Sequence, residues 1–144
     1  MPFTQRATQM VTDRMPKVID AKTHAVLDYV VAGSALALSA FLWKRNKRAS
    51  IAAAMCGAAT LTNAMLTDYP GGVKRIFNFE THGRIDAGLA GLTATMPTFF
   101  AFRNEDEARY FTGLALAETV VTGLTDFERS GKVIPMPANR TAVG

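Results

Sequence analysis

Charged side chains withdraw from four stretches of this chain. Residues 25–43 hold one charge in 19 positions, residues 49–67 hold none, and residues 85–102 and 110–125 hold one each. Stretches of about 17–25 such residues match the thickness of a hydrocarbon core, so the pattern predicts four membrane-spanning helices. Helices packed in water show an apolar stripe backed by a charged face, and none of the four has that charged face. Small residues four apart (Gly33/Ala37, Ala53/Gly57, Ala87/Gly91, Gly113/Ala117) predict close helix contacts in lipid. The competing reading is a soluble, Ala-rich four-helix bundle, favoured by the short and mildly apolar second and fourth segments.

The polar residues that punctuate these segments recur. Residues 23–69 laid over 81–127 need no gap, and twelve of the 47 pairs are identical. The matches include Thr23/Thr81, His24/His82, Asp28/Asp86, Arg45/Arg103, Asn46/Asn104, Thr67/Thr125 and Asp68/Asp126. Each unit reads as an amphipathic lead-in, a long helix opening near its His, a charged turn, a second helix and a closing Thr-Asp-aromatic. The lead-ins Lys17-Val18-Ile19 and Arg75-Ile76-Phe77 share the same offset, and Lys132-Val133-Ile134-Pro135-Met136 is a third echo. Such segments are expected to lie along the membrane surface.

The expected organisation is therefore all-α: a four-helix transmembrane bundle of two tandem hairpin repeats, about residues 16–69 and 74–127, with a tail over 128–144. It forms a single membrane domain spanning 1–144. Short turns at 44–48 and 103–109 make helix neighbours antiparallel. With two spans per unit, the repeats are related by a pseudo-twofold along the membrane normal. Both termini then share a face with the middle connection. That face carries ten Lys/Arg and the turn face six, which puts the termini in the cytoplasm of a bacterial inner membrane.

Bulk composition adds limits. The net charge of +4 suits anionic lipid, and no nucleic-acid motif accompanies it. Cys56 is the single cysteine, so an internal disulfide and a thiolate metal cluster are both ruled out. Residues 1–24 are too interrupted by charge for a signal-peptide core, so the first apolar helix itself directs insertion.

His24/Asp28 and His82/Asp86 are spaced i, i+4 and share a helical face. Asp68 and Asp126 return to the same depth, so two His and four Asp converge near one membrane face. In a structural reading each Asp accepts a hydrogen bond from a His or Thr of the other hairpin. In a metal reading, imidazole and carboxylate from His24, Asp28, His82 and Asp86 enclose one or two ions of Zn, Mn or Fe. A third reading makes the two His a proton relay or axial haem ligands. The Glu-x-x-His of carboxylate-bridged di-iron bundles is missing.

Glu118 stands apart, mid-helix in the fourth segment where the first unit has Thr60. An intramembrane acid is costly unless protonated, paired or facing a polar cavity; Thr60, Thr62, Thr93 and Thr95 are the hydroxyls at its depth. It marks either a protonated Glu bonded to a Thr or a proton or ion pathway. Asn63 reads as interhelical hydrogen-bonding glue.

Thr23-His24-Ala25-Val26-Leu27-Asp28-Tyr29, with Thr67-Asp68-Tyr69-Pro70 closing the first unit and the 132–136 echo after the second, resembles the bacterial SPW-repeat membrane proteins. In that family a His-x-x-x-Asp opens a helix whose far end bears Ser-Pro-Trp, and the unit is duplicated. Here Ser39-Ala40-Phe41 lacks the Pro, and Met96-Pro97-Thr98-Phe99-Phe100 keeps it without Ser or Trp; Trp43 serves as the interfacial aromatic. The resemblance implies a small multi-span membrane protein and assigns no activity. With no nucleophile–base pair, phosphate loop or dinucleotide fingerprint, the expected function is a non-catalytic accessory or scaffold subunit. Its partners would be the lipid bilayer and other membrane-protein subunits. The alternatives are a metal- or haem-binding redox protein and an ion pathway through Glu118.

Overall fold

A computed structural model describes residues 14–128 together with Arg6 and Met10; the 132–136 echo lies outside them. Four helices follow one another: α1 (Ala21–Leu42), α2 (Lys47–Met65), α3 (Phe79–Phe99) and α4 (Ala108–Leu124). Short polar side chains start three of them. Asp20 accepts from the Thr23 amide at 2.8 Å, Asn46 from Ala49 at 3.1 Å and Asn78 from Thr81 at 2.7 Å, each satisfying an amide that has no partner inside its helix. α4 starts at Glu107 with no side-chain cap. Because α1 and α3 start at these caps, ahead of the apolar runs at 25 and 85, His24 and His82 fall inside the first turns.

Each helix packs on the next in sequence, and α4 returns against α1. Gly57 sits at a close approach of α1 and α2, since a Cβ there would stand 2.8 Å from Leu36 Cγ. Gly33, Gly91 and Gly113 differ from the expectation of small-residue contacts: a Cβ at any of them would meet nothing within 4 Å. Those glycines face away from the neighbouring helices, so they do not serve close packing within the chain.

The lead-ins do more than run along a surface. Ile19 and Phe77 are extended and form single parallel bridges to Thr125 and Thr67 of the opposite hairpin. The Ile19 amide donates to Leu124 O at 2.9 Å, and the Asp126 amide donates to Ile19 O at 3.0 Å. The Phe77 amide likewise donates to Leu66 O at 3.0 Å, and the Asp68 amide to Phe77 O at 2.8 Å. Each strap therefore occupies carbonyls that a helix C-terminus leaves open, and it ties one hairpin to the end of the other.

The interior is divided. Near the turns, Leu42, Ala49, Ala52, Ala53, Cys56, Met96, Phe102 and Phe111 form an apolar cluster. Toward the other end a smaller apolar cluster of Ala25, Ala64, Tyr69 and Phe79 sits with buried polar residues, His24, Asp28, Asn63, Thr67, His82, Asp86, Glu118 and Thr125 among them. The outside carries the large apolar side chains, including Val26, Val30, Phe41, Ile51, Met55, Leu92, Phe99, Leu116 and Val120. Among the described residues α1 is the one helix long and apolar enough by length and composition to cross a membrane.

Candidate metal centre

α1 and α3 each project a His and, one turn later, an Asp toward the middle of the bundle. His24 and His82 are fully buried, and Asp28 and Asp86 nearly so. The two Nε2 atoms stand 3.0 Å apart. His24 Nε2 lies 3.0 Å from Asp86 Oδ2 and 3.2 Å from Asp28 Oδ1. His82 Nε2 lies 2.9 Å from Asp86 Oδ2 and 3.1 Å from Asp28 Oδ2. One ligand atom from each of the four residues falls within 4.8 Å of all the others. The group is an ion-pair network across the two hairpins, and its donors can hold a metal ion.

The other ring nitrogens settle which tautomer a neutral imidazole takes. His24 Nδ1 lies 2.7 Å from Thr125 Oγ1, and His82 Nδ1 lies 2.7 Å from Thr67 Oγ1. Each Thr hydroxyl spends its single proton on a backbone carbonyl one turn back, Val121 O and Asn63 O, both at 2.6 Å. Toward imidazole it offers only lone pairs, so Nδ1 is the protonated nitrogen and Nε2 carries the free lone pair. Both Nε2 lone pairs then face each other and two carboxylates.

A further set of contacts holds the carboxylates. Tyr69 donates its phenol to Asp28 Oδ2 at 2.9 Å, and Asn63 donates Nδ2 to Asp86 Oδ1 at 2.7 Å. Burial and the adjacent Asp28 charge push the Tyr69 phenol up, which keeps it a donor. Aromatic rings close the end of the cluster. Phe79 and Phe127 meet His24 edge-on, with centroids 5.4 and 5.3 Å away, and Phe79 also stacks on His82 at 5.7 Å. Such partners fix the orientation of metal-ligating side chains.

Asp68 does not join this centre. It is exposed and pairs with Arg75 at 3.2 Å, because the chain turns outward immediately after Thr67 and its backbone is held by the Phe77 strap. Asp126 is half-buried, with its amide on Ile19 O. The residues that reach inward from the closing Thr-Asp-aromatic stretches are the threonines and the aromatics Tyr69 and Phe127. Thr67 and Thr125 were as visible in the repeat as the aspartates beside them, but sequence alone does not say which of two adjacent polar residues faces the axis.

Glu118 lies one level deeper. It is 9 % exposed, and the hydroxyls of Thr93 and Thr60 flank its carboxyl. Among the described residues its Oε2 has no hydrogen-bond partner. Thr62 and Thr95 face outward, and each bonds a backbone carbonyl of its own helix.

No family model matches the chain, and neither a curated protein nor a solved structure matches it.

Proposed function

We propose that this chain is a small integral membrane protein in which one divalent transition-metal ion, of the Zn2+ class, joins two hairpin repeats across a pseudo-twofold axis. The observation that carries the metal is the pair of Nε2 atoms 3.0 Å apart between two carboxylates, with each Nδ1 on a threonine hydroxyl. With neutral rings and no cation, that arrangement gathers lone pairs and two negative charges in a buried space, which is costly. A dication neutralises the two carboxylates and accepts all four lone pairs. Donors about 2.0–2.1 Å from tetrahedral Zn2+ stand about 3.3 Å from one another. The His–His and His–Asp separations of 2.9–3.2 Å given above lie a few tenths of an ångström below that value, and the four donors as a set fall within 4.8 Å of one another. Two imidazoles this close, against shared carboxylates, suit a bare ion and not the two faces of a porphyrin.

Four protein donors complete a closed coordination sphere, the mark of a structural site. The metal is thus a staple between hairpins, and the protein is a non-catalytic accessory or scaffold subunit for other membrane proteins. Lipid as the surrounding solvent is supported by the inverted layout of the bundle. Asp28, Asp86 and Glu118 are the charged residues of the four apolar segments and all are buried, whereas the exposed positions there include Val, Leu, Phe and Met. The resemblance to SPW-repeat proteins agrees with this reading. The Lys/Arg excess in the terminal and middle segments of the sequence supports termini in the cytoplasm of a bacterial inner membrane.

Metal analysis of protein purified in mild detergent tests the centre. One ion per chain is expected, as are tetrahedral visible bands after Co2+ exchange and loss of both in His24→Ala and His82→Ala. A cluster held by protons alone would contain no metal and would be indifferent to chelators, and that result overturns the metal. Recovery of the chain in the aqueous phase without detergent would overturn the bilayer.

A further inference from the structure

Directly behind the His/Asp centre lies a cavity of about 10 Å³, lined on its polar side by Asp28, Thr60, Asp86, Glu118 and Thr122 and otherwise by aliphatic side chains. That is the space of about one water molecule. Glu118 comes to it from α4 with an oxygen that no donor among the described residues reaches, on a side chain more than nine-tenths buried.

We propose that this cavity is a second cation site, which takes one small monovalent cation such as Na+ on the Glu118 carboxylate and the Thr60 hydroxyl, with the other polar lining residues around it. The inference rests on the metal reading above, through its charge balance. A dication at the His/Asp centre cancels Asp28 and Asp86, leaving Glu118 as one uncompensated negative charge beside it. A second dication would overshoot by one charge, whereas a monovalent ion closes the balance. The polar lining consists of carboxylates and hydroxyls, without nitrogen or sulfur, and oxygen-only sets favour hard cations over transition metals. The counterpart of Glu118 in the first hairpin is Thr60. One acid and one hydroxyl meeting near the axis supply one charge and one neutral donor, enough for a single ion.

The test is thermal unfolding of the full chain in detergent, saturated with Zn2+, in NaCl against choline chloride at equal ionic strength. A cation that binds only the folded state stabilises it in proportion to the logarithm of its concentration above Kd. Sodium is therefore expected to raise Tm in the wild type, by an amount that grows with the logarithm of its concentration, whereas choline, too large for the cavity, leaves it unchanged. Glu118→Gln, which keeps the shape and removes the charge, should abolish the sodium response while zinc stoichiometry stays the same. Thr60→Val should shift the response to higher sodium without abolishing it. Equal Tm in sodium and choline with zinc bound would mean that Glu118 is neutralised by a proton and the cavity holds water, and it overturns this inference alone. A sodium response that persists in Glu118→Gln overturns it too. Absence of bound zinc would sink the metal reading and the charge argument with it, and metal analysis shows that independently of Tm.

Discussion

The two ends of the bundle are built on different terms. At the His end, contacts come in pairs 58 residues apart: Ile19 with Thr125 and Phe77 with Thr67, and His24 with Thr125 and His82 with Thr67. At the turn end they do not. Arg48 reaches Glu105 and the Ala101 carbonyl, but the position 58 residues after Arg48 is Asp106, of opposite charge, and the position 58 before Glu105 is Lys47. Lys47 instead lies over the Trp43 ring, 3.4 Å from its centroid. Where two hairpins must present matching donors to one point, both halves keep the same residues. Where they merely touch, each side can drift to any workable contact.

The contrast is sharpest between two acids. Asp86 Oδ2 approaches both imidazoles inside the bundle, while Glu105 meets Arg48 at a half-exposed turn. Asp86→Ala strips a buried network of one partner and should cost about 3–5 kcal/mol, with loss of the bound metal. Glu105→Ala should cost under about 1 kcal/mol, as exposed pairs generally do, and leave metal content intact. Chemical unfolding with metal analysis on both variants checks the pair. Comparable losses would mean that the axis is not the feature holding the hairpins together.

Equality between the halves can be tested one layer out. Thr67→Val and Thr125→Val each remove the oxygen that sets the Nδ1–H tautomer of one His, and second-layer losses typically weaken metal binding by about 10–100-fold. The two variants should fall within a few-fold of each other in competitive metal titration, because each His has the same hydroxyl partner at the same 2.7 Å. A strong effect from one and none from the other would show that the ion sits on one hairpin, with the second as a bystander.

How much of this the sequence discloses follows the same division. The four helices, the His/Asp pairs and the flanking of Glu118 by Thr60 and Thr93 are local or periodic features. Helical spacing puts residues four apart on one face, and an unbroken repeat carries one half's geometry to the other. The strap from Ile19 to Thr125 is not legible, because it joins residues more than a hundred positions apart and depends on how the hairpins dock. Asp68 shows the same limit. Its identity with Asp126 reads as a shared place in the polar cluster, yet the turn after Thr67 sends it to Arg75 at the surface. Tyr69 faces Phe127 in the repeat, so comparing the halves hides the phenol that Asp28 uses.

The smallest expected effect lies where the halves differ by a single ionisable atom set. α1 is capped by Asp20 and α3 by Asn78, at the same offset and with the same geometry toward the third amide. The Thr23 backbone amide holds the Asp20 carboxyl below its ordinary 3.8. A group whose folded value is depressed stabilises the folded state fully above its unfolded value, and the contribution fades as the pH falls through the folded value. The wild type should therefore lose the contribution of this cap below 3.8, whereas Asp20→Asn keeps the cap and loses that dependence. Asn78→Asp should add the same acid-sensitive step to the other half. Unfolding midpoints followed by circular dichroism between about pH 5 and pH 2 would show a shallower acid limb for Asp20→Asn and a steeper one for Asn78→Asp. Identical limbs in all three proteins would mean that the α1 start is fixed by the Ile19 strap, with the cap contributing nothing that titrates.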